Sequence, residues 1–151
     1  MTKAFAARFS LALLVPVTLL SVSLTAAAVR AQNQLYNPIP LPPNNEVSDT
    51  LTDKDIPLGE GGFGRDYVVN LSAGDQVAID LTSESFDTIV TLVAADGTTV
   101  GENDDGPDGS TNSLLFTRIT EAGRYVIRVH AFGKTGGGAF KLKVTRLRPV
   151  Q

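Results

Sequence analysis

From Glu46 onward the chain alternates apolar and polar positions in short runs broken by glycine and aspartate, a period of two that belongs to strands rather than helices. Tyr67, Val69 and Leu71 share one face of a first clear strand. Ser72-Ala73-Gly74-Asp75 turns the chain, after which Val77, Ile79 and Leu81 alternate with Gln76, Ala78 and Asp80. Residues 88–95 are more continuously apolar and predict a central strand covered on both sides, ended by the hairpin signal Asp96-Gly97. A short strand is expected over residues 98–101, a polar loop over 101–113 and a further strand over 114–119. The last two strands set Tyr125, Ile127 and Val129 against Val126, Arg128 and His130, then Phe140, Leu142 and Val144 against Lys141, Lys143 and Thr145. Seven or eight such strands without a helical stretch predict an all-β fold, an antiparallel β-sandwich of jelly-roll-like form. Its interior takes the tyrosine, isoleucine, valine and phenylalanine set, and the bases of the last strands face solvent.

The segments before Glu46 read differently. Residues 1–31 combine a basic start (Lys3, Arg8), an apolar stretch and the small-residue exit Val29-Arg30-Ala31, the pattern of a cleaved secretory signal peptide. Pro16, Ser21 and Ser23 dilute the apolar run, so a membrane span is not expected to remain after cleavage. Residues 32–46 are rich in proline and asparagine and predict an extended tether, leaving 47–148 as one small domain. Export places the chain in the periplasm or outside the cell.

Composition narrows the chemistry. There is no cysteine and a single histidine, so neither a thiol nucleophile nor a His/Cys zinc site can be built. The formal net charge is −3, and cleavage would remove three bases (Lys3, Arg8, Arg30) and make it about −6, which argues against nucleic acid as a partner. Acids crowd the stretch 46–108, whereas residues 109–151 hold Glu121 as their one acid and eight bases, among them Arg118, Arg128, Lys141, Lys143, Arg146 and Arg148. Those bases would bind an anionic polymer or an acidic protein surface if they lined one face, or else pair with the acids of the first half.

The ordered blocks Asp66-Tyr67-Val68-Val69, Ala73-Gly74-Asp75-Gln76-Val77, Ser85-Phe86-Asp87-Thr88, Asp96-Gly97, Asn103-Asp104-Asp105-Gly106, Ala122-Gly123-Arg124-Tyr125-Val126-Ile127-Arg128-Val129 and Gly138-Ala139-Phe140-Lys141-Leu142 closely resemble the bacterial pre-peptidase C-terminal domain. The resemblance implies a jelly-roll-like sandwich, usually appended to secreted peptidases, where it is non-catalytic and serves secretion, targeting or substrate contact; similar domains of clostridial collagenases bind collagen and calcium. This chain has no room for a peptidase beside that domain, so it resembles the accessory domain in isolation.

Two features carry candidate chemistry. His130 falls on the strand face opposite Tyr125, Ile127 and Val129, the solvent side, and no second motif marks it as a base. The turn at Asn103, Asp104, Asp105 and Asp108 offers clustered oxygens suited to calcium, with Asp66 or Asp87 as completing ligands from elsewhere in the fold. Its spacing fails the EF-hand template, because taking Gly106 as the loop glycine puts Gly101 at the first ligand position and Asn112 where the bidentate glutamate belongs. The competing reading is that Asn, Asp and Gly are what a tight turn requires. Adjacent Asp104 and Asp105 do not form a glycosidase pair, and the glycine-rich stretches 59–64 and 133–138 are flexible hairpin loops rather than phosphate loops. The expectation is an exported, non-enzymatic module that contacts a protein or an extracellular polymer and is stabilised by calcium if the turn holds it. Alternatives are a structural envelope component or the partner of a separately encoded secreted peptidase, with an unrecognised hydrolase the least supported.

Overall fold

The computed structural model describes residues 36–59, 61–107, 109–133 and 136–147. The chain divides into two units, Met1–Asn37 and Pro38–Gln151, and the fold reported is that of the second. The expected signal peptide and tether residues 32–35 lie outside the described residues. No helix among the described residues is long and apolar enough to cross a membrane.

Among the described residues the strands are β1 (Ile39–Pro40), β2 (Glu46–Leu51), β3 (Ile56–Pro57), β4 (Phe63–Leu71), β5 (Gln76–Thr82), β6 (Thr88–Ala94), β7 (Thr99–Asn103), β8 (Ser113–Arg118), β9 (Gly123–Ala131) and β10 (Gly138–Leu147). They build a six-stranded sheet in the order β1-β4-β9-β6-β7, with β3 also on β4, and a four-stranded sheet in the order β2-β10-β5-β8. The all-β sandwich expected from the alternation is therefore the observed architecture. Eight strands are longer than two residues, and the two-residue pieces β1 and β3 both add to the edge of β4.

The alternating apolar positions meet between the sheets. Tyr67, Val90, Leu92, Ile127 and Val129 from the six-stranded sheet and Val77, Ile79, Leu81 and Leu142 from the four-stranded one are fully buried. Phe140 of β10 packs edge to face between Tyr67 and Phe86, with ring centroids 6.3 and 6.5 Å away, the arrangement that aromatic quadrupoles favour. Burying side chains of this size stabilises the fold by roughly 2 kcal/mol each.

Polar clamps close both long seams of the sandwich. On one, the Tyr67 hydroxyl donates to Asp49 of β2 at 2.8 Å, and Arg65 of β4 reaches Asp49 and Asp55. Burial, then the Asp49 bond, pushes the Tyr67 phenol well above its ordinary range. On the other, the hydroxyls of Thr88 and Ser113 bond each other in the interior, and Ser113 also donates to the Thr88 carbonyl at 2.7 Å.

Several local expectations are corrected. The tether is drawn into the sheet: Ile39 and Pro40 pair in parallel with Tyr67 and Val68, and Leu41 donates to the Val68 carbonyl at 2.9 Å. Proline is tolerated there because an edge strand need not offer every N–H to a ladder. β7 runs on to Asn103, so the strand ends two residues later than its polarity suggests. β6 is sealed on its inner face but only half covered outside at Ile89 and Val93. The stretch 133–138 is more than a flexible loop: a Cβ at Gly138, whose φ is 135°, would stand 2.5 Å from the Ser85 Cβ.

Candidate functional site

The acidic turn is assembled by backbone carbonyls more than by its carboxylates. Asn103 ends β7 in register with Val90, an inward position, and so points at the neighbouring sheet rather than at solvent. Its amide donates to the Asp105 carbonyl at 2.8 Å and the Leu114 carbonyl of β8 at 2.9 Å, while Leu114 N–H donates to the Asp105 carbonyl at 3.0 Å. Asn103 thus fastens the edge of one sheet to the edge of the other. Asp104 is half-buried and Asp105 exposed, and their carboxylates accept no hydrogen bond among the described residues.

Of the other candidate ligands, Asp66 does not join them. Asp66 lies on the outer face of β4, three strands from β7 and about 14 Å away by ordinary strand spacing. Asp87 sits in the β5–β6 loop, where its carbonyl accepts the Phe132 N–H at 2.8 Å and its side chain is exposed. Asp108 lies outside the described residues. Among the described residues no three acidic or histidine side chains come together in a way that could hold a metal ion, and Asp66 stands apart from the turn.

Asp66 instead opens a cross-strand row that sequence reading missed. Register places Asp66, Arg128, Thr91 and Glu102 side by side on β4, β9, β6 and β7, across the outer face of the six-stranded sheet. Arg128 grips the Asp66 carboxylate with two parallel bonds of 2.8 Å, and the carboxylate has no exposed surface. That corrects the expectation that the bases of the last strands all face solvent. The Thr91 hydroxyl donates to Glu102 at 2.7 Å, and since it has one proton it must accept from His130 Nε2 at 3.2 Å. The neutral imidazole therefore carries its proton on Nε2 and leaves Nδ1 as an acceptor.

His130 is on the predicted face but is half-buried rather than free in solvent, and burial, with Arg128 adding to it against the opposing charges of Glu102 and Asp66, lowers its pKa below the ordinary 6.5. A nucleophile–base–acid relay would need the histidine in the middle. Here Thr91 is in the middle, 5% exposed, with its proton committed to Glu102. Beside His130, Leu58 lies across β4 against Arg128. It can do so because position 64 is glycine: a Cβ there would stand 3.2 Å from Leu58 Cδ2 and 3.3 Å from Arg128 Cδ. Leu58, Ile89, His130, Ala131 and Phe132 together line a depression of about 390 Å³ with Phe132, 58% exposed, at its rim.

Register places Arg118, Lys141 and Lys143 on the outer face of the four-stranded sheet, and several bases pair with acids of the first half. Lys141 pairs with Glu46, and Arg146 donates to the Asn70 carbonyl at 2.8 Å and approaches Asp75 at 4.0 Å. With Arg128 on Asp66, acids of the first half meet bases of the second across the fold. Phe116, 57% exposed, sits opposite Ala78 on the outer face of the four-stranded sheet.

Comparison with known proteins agrees with this architecture. Residues 64–131 match the family model of the bacterial pre-peptidase C-terminal domain. The pre-peptidase C-terminal domain of a collagenase from Bacillus anthracis superposes with a TM-score of 0.52 at 16% identity, covering 72% of this chain and 93% of that one. Aeromonas hydrophila PliG, a periplasmic inhibitor of g-type lysozyme, superposes with a TM-score of 0.54 at 15% identity, covering 74% of this chain and 96% of that one. A search of the curated proteins finds no match.

Proposed function

We propose that this chain, whose residues 64–131 belong to the bacterial pre-peptidase C-terminal domain family, is an exported non-catalytic module that binds a protein partner. The observation that carries the non-catalytic reading is the order of the outer-face relay, in which the single histidine donates to a threonine whose own proton is already given to a carboxylate. Among the described residues His130 accepts a proton from no alcohol, so it stands as general base to none. Two phenylalanines more than half exposed, one on each side of the sandwich, supply apolar contact area of the kind that anchors interfaces. The shared fold supports the same reading, since one solved relative is the accessory domain of a collagenase and the other a periplasmic inhibitor that acts on an enzyme. An export route fits the amino-terminal pattern of residues 1–31.

The test is capture by immobilised residues 32–151 from periplasmic, envelope and culture fractions. Discrete protein partners are the expected result. Retention on bulk cell-wall polymer alone would overturn the protein-binding reading, and a secreted peptidase among the partners would identify this chain as its separately encoded accessory. Hydrolytic activity abolished by His130→Ala in a variant that still folds would overturn the non-catalytic reading.

A further inference from the structure

We infer that the depression lined by Leu58, Ile89, His130, Ala131 and Phe132 is a receptor for one tyrosine side chain of a partner protein, its phenol donating to His130 Nδ1. The inference deepens the protein-binding reading and rests on it.

Size comes first. About 390 Å³ is at the small end of ligand sites, enough for one aromatic group and too little for a polymer segment. The walls select next: Leu58, Ile89 and Phe132 present hydrocarbon, and an exposed Phe132 ring at the rim can stack edge to face on an incoming ring.

Complementarity of hydrogen bonding decides the occupant. The Glu102–Thr91–His130 chain fixes the imidazole proton on Nε2, so the other nitrogen offers a lone pair with no partner among the described residues. Among the described residues the charged groups around it are Glu102 on β7, Asp66 on β4 and Arg128 on β9, with Arg128 bonded to Asp66. An acceptor nitrogen in an apolar depression offers a carboxylate no donor and leaves an apolar ring without a donor one hydrogen bond short. A phenol satisfies both the walls and the nitrogen. Gly64 belongs to the same design, because a Cβ there would crowd Leu58 and Arg128 and force them to shift.

The test is an NMR titration of residues 32–151 with N-acetyl-tyrosinamide and, separately, N-acetyl-phenylalaninamide at neutral pH. The tyrosine probe should shift resonances of Leu58, Ile89, His130 and Phe132 and bind about fivefold more tightly than the phenylalanine probe, the worth of one neutral hydrogen bond. His130→Phe should erase that preference. Should this variant fail to fold, the wild-type protein answers the same question with N-acetyl-O-methyl-tyrosinamide, which has no phenol proton to donate and must bind no more tightly than the phenylalanine probe. Equal binding of both probes at neutral pH, or shifts scattered away from these residues, would overturn the inference. Partner capture would survive that result, since a partner can still dock elsewhere, so the two readings fail separately.

Discussion

Asp66 is a carboxylate without exposed surface on the side of β4 that strict alternation assigns to solvent. Its charge is tolerated because Arg128 bonds both oxygens, and removing one member of a buried pair is strongly destabilising. Arg128→Leu is therefore expected to destabilise the domain by about 3 kcal/mol in urea denaturation, discounted from the fully buried case because the Arg128 side chain is 30% exposed. A loss below about 1 kcal/mol would show that water reaches the carboxylate. His130 supplies a pH dependence at the same scale. Its folded-state pKa lies below 6.5, so at mildly acidic pH the unfolded chain binds a proton the folded one refuses. That contribution is fully present above about pH 6.5, is lost as pH falls toward the folded value, and levels off beneath it. Glu46, held low by Lys141, and Asp49, where hydrogen bonds outweigh burial, lose their contributions in a separate window that opens near pH 4. Denaturation midpoints between about pH 7 and pH 5 should fall for the wild type and stay flatter for His130→Gln.

At the scale of elements, the strands whose apolar positions alternate cleanly, β4, β5, β9 and β10, could be read directly, because a two-residue period and a buried face are the same fact seen twice. β7 was harder: Glu102 and Asn103 look like loop, and only pairing with Thr91 and Val90 makes them strand. The row from Asp66 to Glu102 was illegible for a related reason. It joins four strands by register, a long-range property that no local motif encodes. Arg65 left a faint signal, a charge in step with Tyr67, Val69 and Leu71, which the structure explains by its reach to Asp49 and Asp55 at the seam. The acidic motif was visible as a turn, but its role lies in Asn103. Asn103→Asp replaces the amide donor with an acceptor facing two carbonyl oxygens and should cost about 2 kcal/mol, whereas at a calcium site an added carboxylate would tighten binding. Wild-type melting curves with calcium and with chelator should superimpose, and calcium should not rescue the variant. A calcium-dependent rise in either melt would show that the turn carboxylates gather around an ion. Gly138→Ala should cost at least about 2 kcal/mol, since a side chain there meets both an unfavourable φ and the Ser85 side chain; near-neutral stability would mean the β9–β10 loop gives way freely.

For the whole molecule, the sandwich divides its labour between an interior that alternation alone specifies and two faces that differ in kind. The six-stranded sheet carries the histidine depression, and the four-stranded sheet carries Phe116 among scattered, partly paired bases. One further property follows from the place where the edge segment and the last strand meet. Leu41 bonds the Val68 carbonyl and Arg146 bonds the Asn70 carbonyl, so the entry to the fold and its exit emerge side by side. A unit with adjacent entry and exit works as a cassette: it can be spliced into a surface loop of a host protein without prising the host apart. It also tolerates a new opening. A circular permutant that joins the two ends by a short flexible linker and is cut at Asp96-Gly97 should still melt in one cooperative transition, and a broad, multistep melt would show that the order of strands along the chain matters as much as their adjacency in space.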